Sequence, residues 1–258
     1  MPRPGFVLEV DERTPPLLVN DGEGFRMQRF PLGSRVVYPP DALPGIRDVG
    51  AAIRHALVEP IDADPLPSLL KAGMKLTVAI DDISVPLPPM RTPDIRQRII
   101  EHVIELAARA GVEDVKLIVA NALHRRMTAA EIRRMVGERV FRSFWPKDLM
   151  NFDAEDRDAL LEIGKTDEGE VVEISKRAAE SDLIVYVNVN LVAMDGGHKS
   201  VAIGLAGYRS LRYHHNVHTM MHSRSYMDPR PGHSAIADSA TRMGRLLRDS
   251  GVRIFQVE

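Results

Sequence analysis

Three apolar runs, at residues 75–80, 115–120 and 182–190, punctuate the chain, and each ends on polar side chains: Asp81 and Asp82, Asn121 and His124, Asn188 and Asn190. Strands that read as near-continuous apolar runs are buried on both faces, as in a parallel sheet. Between the runs the apolar period lengthens to that of a helix. Thr92 and Pro93 offer an N-cap and N1 pair; Ile95, Ile99, Ile100, Val103, Ile104 and Leu106 supply one buried face up to Ala110, and Gly111 follows. Thr128, with Glu131 three positions on, makes a capping box for a helix reaching Val136. Shorter helical patterns cover 49–59 and 65–71, and an amphipathic one covers 234–249, with Ile236, Ala237, Ala240, Met243 and Leu246 or Leu247 inside. After Gly251 a last strand begins, which needs a neighbour and reads as a domain boundary. The alternation predicts an α/β fold, a parallel sheet with flanking helices of Rossmann-like type. Such sheets bind ligands beyond the carboxyl ends of their strands.

Elsewhere the pattern is weaker. Residues 1–48, rich in proline and glycine, carry short alternating runs at 6–10 and 35–38, as in an N-terminal arm with short strands. Residues 49–258 form the α/β domain. Residues 138–170 contain Trp145 and the charged stretch 153–158, and read as a solvated connection before a strand at 170–174 and a short helix at 175–180.

The totals narrow the class. Of 258 residues, 44% are hydrophobic and 27% charged, a globular composition with ample material for a core. A net charge of -2 lacks the basic excess that general nucleic-acid or membrane binding requires, so neither partner is expected. Cysteine is absent, which excludes disulfides and thiolate chemistry; a metal needs His, Asp or Glu, or sulfur brought by a cofactor. The N-terminus lacks the apolar segment of a signal peptide, no run reaches the ~18 apolar residues of a membrane span, and a cytoplasmic protein is expected.

Candidate chemistry clusters late in the chain. Four of the nine histidines, His214, His215, His218 and His222, fall close together. On one continuous helix His214, His218 and His222 share a face; this is a recurrent metal-ligand spacing and equally a histidine-rich surface helix. No carboxylate follows until Asp228, so a three-ligand zinc site is not legible. Gly196, Gly197 and Lys199 offer backbone amides and an amine to an anion, or form a plain turn. His124 suits a general base or a loop histidine, and Arg125 and Arg126 beside it suit a phosphate or carboxylate. Asp81 and Asp82 orient a ligand or serve as turn acids.

Three segments, Asp-Ile-Ser-Val-Pro-Leu-Pro (82–88), Ala-Asn-Ala-Leu-His-Arg-Arg-Met-Thr (120–128) and Asp-Gly-Gly-His-Lys-Ser-Val-Ala-Ile-Gly-Leu-Ala-Gly (195–207), are followed by His215. In order and spacing they resemble Asp-x-Thr-Arg-Pro-x-Pro, Ala-Thr-Gly-x-His-Arg-x-Met-Thr, Ser-Gly-Gly-Arg-Lys-x-x-x-Pro-Gly-x-x-Gly and the nickel histidine of the lactate racemase family. The resemblance runs from about Phe30 to Glu258. It implies the fold of that family's N-terminal domain and a nickel-pincer nucleotide, a pyridinium mononucleotide that holds nickel through sulfur arms and a carbon. By the resemblance, Lys199 is the covalent anchor and His215 completes square-planar Ni(II). Asp82, Ser84, Asn121, Gly196 and Gly197 help to hold the cofactor. The implied activity is that of a racemase or epimerase of a 2-hydroxy acid by hydride transfer, with His124 moving the hydroxyl proton.

The departures fall where the family handles substrate. Val85 stands for its arginine, Ser84 for its threonine, Val189 for its second histidine, Asn121-Ala122 for Thr-Gly and Ile203 for its proline. A valine cannot clamp a carboxylate, so the expected substrate is not lactate but another hydroxy compound, such as a larger sugar acid. Arg91, Arg125, Arg126, Asn188 and Asn190 are its candidate contacts. The family's cleft-closing C-terminal domain has no counterpart, which implies a partner chain or a second copy that supplies it, or a chain cut at that boundary. Two further readings stay open: a cofactor- or ligand-binding relative without turnover, and a hydrolase with zinc on His214, His218 and His222.

Overall fold

A computed structural model describes residues 5–22, 24–40, 43–83, 90–189, 196–225, 228 and 230–258. The chain divides between Arg47 and Asp48 into two compact units. The first holds β1 (Val7–Glu9), β2 (Leu17–Asp21), β3 (Gly24–Gln28) and β4 (Arg35–Val37). β1 pairs antiparallel with β4, and β2 with β3, so the two alternating runs of the sequence find each other.

The second unit contains, in order, α1 (Val49–Val58), α2 (Leu66–Leu69), β5 (Lys75–Ile80), α3 (Ile95–Arg109), β6 (Asp114–Val119), α4 (Ala129–Phe144), β7 (Leu149–Asn151), β8 (Leu160–Lys165), β9 (Val171–Ser175), α5 (Lys176–Ala179), β10 (Leu183–Val187), α6 (His198–Gly204), α7 (Tyr208–His214), α8 (Val217–Met221), α9 (Ala235–Asp249) and β11 (Ile254–Val257). A five-stranded sheet runs β11-β10-β5-β6-β7 with every pairing parallel. Alternate side chains of its strands enter two cores. Val78, Ile80, Val119 and Val187 pack with Leu57 of α1, Val103 of α3 and Ile132 of α4. Ala79, Ile118, Ile184 and Tyr186 pack with Val201 of α6 and Met243 of α9. Because both faces are covered, the strands show no polar alternation and stand out as apolar runs. No helix among the described residues is long and apolar enough to cross a membrane.

Several expectations need correction. The segment 138–170 is not a solvated connection. α4 continues past Gly137, where φ is +80°, to Phe144; β7 extends the sheet, and β8 pairs antiparallel with β9. Trp145 stacks on Phe141 with ring centroids 5.4 Å apart. α3 is capped by Asp94 rather than Thr92, the Asp94 carboxylate accepting from the Arg96 backbone N–H at 2.9 Å. The neighbour that the last strand needs is β10, on which β11 forms the sheet edge.

The histidine segment is not one helix. Asn216 ends α7 by donating from Nδ2 to the carbonyls of Arg212 and Tyr213 at 3.1 and 2.7 Å. It starts α8 by accepting the Thr219 N–H at 3.0 Å.

Candidate functional site

The parallel strands deliver their polar residues to one edge. Ladder bonds continue to the last residues: Asp81 N–H to Val187 O at 3.1 Å, Ala120 N–H to Ile80 O at 2.8 Å, and Asn188 N–H to Val257 O at 2.9 Å. Residues of α6 and α7, including Ser200, Gly204 and Leu211, complete the walls of a cleft of about 290 Å³. Asp81, Asp82, His124, Tyr186, Asn188 and His215 give it its polar groups.

Asp82, 2% exposed, engages His124 Nδ1 at 3.0 Å. This hydrogen bond raises the proton affinity of His124 against the opposing effect of desolvation. His215 shifts the other way: its side chain is exposed on one side, but partial desolvation at the cleft, then the nearby His124, lower its pKa from the ordinary imidazole value. It is therefore neutral near pH 7, with a nitrogen lone pair to offer. His214 lies edge-on to it at 4.6 Å, buried, and pushed down to about 3 by that burial. Asp81 accepts from the Tyr186 hydroxyl at 3.0 Å and the Val189 N–H at 2.8 Å.

Behind the two aspartates sits a residue the sequence reading missed. Arg96, 3% exposed, donates from Nη1 to the carbonyls of Asp81 and Asp82, each at 2.9 Å. Its Nε and Nη2 reach Asp94 at 3.0 and 2.8 Å. The available signal was an arginine three and four positions before Ile99 and Ile100, on the apolar stripe of α3.

The other sequence candidates scatter. Asn121 is buried; its Nδ2 donates to the His124 carbonyl at 3.5 Å, and its Oδ1 has no partner among the described residues. Gly196 and Gly197 turn with φ of +114° and +55°, and the Gly196 N–H donates to Ser200 Oγ at 2.9 Å. Lys199 stands in the first turn of α6, its stem against α9; a Cβ added to Gly244 would lie 3.2 Å from Lys199 Cγ. Ser200 lines the cleft, while Lys199 is not among the described lining residues. Ser84, Val85 and Asn190 lie outside the described residues.

Arg125 forms two bonds to Glu131, at 2.9 and 2.8 Å, and holds that carboxyl at about 2. Arg126 pairs with Asp153, and Arg91 is exposed. None of the three is among the described lining residues, whereas Asn188 and Val189 are. His218 and His222 stack on each other at 4.1 Å, exposed, and away from the buried position of His214. The described residues contain no group of three or more His, Asp or Glu placed to hold a metal ion. The geometry thus gives no support to a zinc site on these histidines.

Beyond the strand ends of this open parallel α/β domain lie an aspartate-backed histidine and a second histidine, at the edge where such sheets bind ligands. The sequence profile of the lactate racemase N-terminal domain family matches residues 24–228, and the chain belongs to that family. It is 25% identical over 169 residues to lactate racemase of Lactiplantibacillus plantarum, covering 64% of this chain and 38% of that protein. With lactate racemase of Thermoanaerobacterium thermosaccharolyticum it shares 24% over 167 residues, covering 63% and 37%. The chain thus spans well under half the length of these curated relatives. Among solved structures, the lactate racemase apoprotein of T. thermosaccharolyticum superposes with a TM-score of 0.64 at 21% identity, over 87% of this chain and 53% of that one. A Thermotoga maritima protein gives 0.56 at 15% identity, over 81% and 49%.

Proposed function

We propose that the chain is the cofactor-binding part of an isomerase, a racemase or epimerase that inverts a hydroxyl-bearing carbon with a nickel-pincer nucleotide. The observation that carries this reading is the placement in one cleft of His124, backed by Asp82, and His215.

The donor set fits such a group. His215 offers a nitrogen that suits Ni(II), and with no cysteine in the chain the soft donors arrive with the cofactor. Lys199, one residue before Ser200 of the cleft wall, is the proposed covalent anchor. Asp82, Ser84, Asn121, Gly196 and Gly197 are the proposed cradle. When bound, the cofactor supplies an acceptor and donor of hydride.

The chain's own residues manage the proton. With Nδ1 bonded to Asp82, Nε2 of His124 is the nitrogen that takes up and returns the hydroxyl proton. Asp82 stabilises the imidazolium formed in between. The reaction is redox-neutral: the C–H electron pair and the O–H proton leave the carbinol, and both return, the former on the opposite face. A partner chain or second copy that closes the cleft belongs to the same proposal.

Mass spectrometry of protein made together with the cofactor's biosynthetic enzymes tests the reading. The expected result is an adduct on the peptide carrying Lys199 that Lys199→Ala abolishes. An unmodified peptide from protein that also inverts no hydroxy compound would replace this reading with a ligand-binding relative.

A further inference from the structure

Of the four clustered histidines, the isomerase reading uses only His215. The break at Asn216 leaves His214 buried at the end of α7. It leaves His218 and His222 together, on α8 and at its C-cap. Residues four apart share a helix face. Both rings are exposed and stack with centroids 4.1 Å apart and planes 29° apart. A three-histidine site is lost by the break; a two-histidine chelate is not.

The tautomer of the neutral His222 ring is fixed. A carbonyl oxygen only accepts, so the 2.8 Å contact of His222 Nδ1 with the His218 carbonyl places the proton on Nδ1 and the lone pair on Nε2. Metal-ligating histidines are oriented in this way, through the nitrogen that does not ligate. His218 borders a pocket of about 440 Å³ that Glu168, Glu170, Asp238 and Arg242 also line. Arg242 is held by Glu170 through bonds of 2.8 and 2.7 Å, and Arg212 lies over the Tyr213 ring at 5.6 Å. Glu168 and Asp238 remain as carboxylates that can accept from the water ligands of a cation. No third protein ligand among the described residues joins the pair, so water completes the shell. Two imidazoles with water suit the tetragonal shell of Cu(II), which binds a given nitrogen site more tightly than the other first-row dications do.

We propose that His218 and His222 form an exchangeable surface site for a divalent first-row cation of the Cu(II) type, each ring giving one nitrogen. Neither residue is among the described lining of the cleft, and the site stands whether or not the isomerase reading does.

Copper(II) sulfate, titrated into the full chain after EDTA treatment and dialysis, tests this. Affinity is read against a competing chelator, and nitrogen coordination by electron paramagnetic resonance. The parent is expected to bind one ion with two-nitrogen hyperfine structure, at least about tenfold more tightly than His218→Ala or His222→Ala. The double variant should bind no more weakly than either single one, because losing one ring already breaks the chelate. Melting temperatures should hold in all three, since both rings are exposed. His215→Ala should leave the tight site intact, which separates it from the cleft. Parent-like affinity in both single variants would mark an adventitious ion only and overturn the proposal. A one-nitrogen signal in the parent, or loss of the tight ion in His215→Ala, would overturn it as well.

Discussion

Arg96→Met is the most informative single perturbation of the site's foundation. Methionine keeps most of the apolar stem and deletes the guanidinium, which makes four bonds in a place where Arg96 is 3% and Asp94 8% exposed. Breaking a buried ion pair by removing one partner costs about 3–5 kcal/mol, because a charge is left uncompensated. Here the backbone N–H of residue 96 still donates to Asp94 at 2.9 Å, which moves the expectation toward the lower end. The orphaned carbonyls of Asp81 and Asp82 move it back, at about 1 kcal/mol or more each. A loss of about 4 kcal/mol is expected, or roughly 8–16 °C in melting temperature for a unit of this size. Urea unfolding with an unchanged slope is the assay. Adding Asp94→Asn removes the stranded charge, so the double variant should recover at least about 1 kcal/mol relative to Arg96→Met alone. A single variant within about 0.5 kcal/mol of the parent, or no recovery in the double, would refute the view that a buried clamp fixes the ends of β5.

Other expectations follow from neighbouring contacts. Gly204→Ala places a Cβ 2.3 Å from the Tyr186 hydroxyl and 3.1 Å from Ala120 Cβ. It should cost about 1–3 kcal/mol and disturb the Tyr186–Asp81 bond, read by calorimetry and by loss of the tyrosine hydroxyl resonance. Glu170 is raised by burial but lowered further by its bonds from Arg242, Ser239 and Thr166, so its folded pKa lies below the ordinary 4.5. Its stabilisation is therefore full above that value and disappears as pH falls through the folded pKa. Glu170→Gln should flatten the acid limb of the urea-midpoint profile below about pH 5, and an unchanged limb would remove Glu170 from the account of acid unfolding.

The sequence carried the frame of the second unit because its strands are covered on both faces. The runs at 75–80, 115–120 and 182–190 became β5, β6 and β10, and the capping box at Thr128 and Glu131 formed as read. β7 escaped because three residues show no period, and the helix read to Val136 runs on to Phe144 through a kink at Gly137. Asp82 and His124 stand out by their position just past strand ends, and His215 by the family resemblance; the fold brings all three to one cleft. Arg96 was not, since an arginine on an apolar stripe reads as an error until its partner Asp94 is seen in space. The histidine repeat misled because Asn216 is an ordinary polar residue in sequence, yet its side chain ends one helix and starts the next. Arg125 and Arg126 were read as ligand contacts, but each sits within reach of an acid, Glu131 and Asp153, that folding brings alongside.

The most direct test of the central proposal is nickel content, measured on protein made with the cofactor's biosynthetic enzymes, for the parent, His215→Ala and His218→Ala. The account predicts about one nickel per chain in the parent and in His218→Ala, and its loss in His215→Ala. Nickel retained by His215→Ala, or lost from His218→Ala instead, would contradict it.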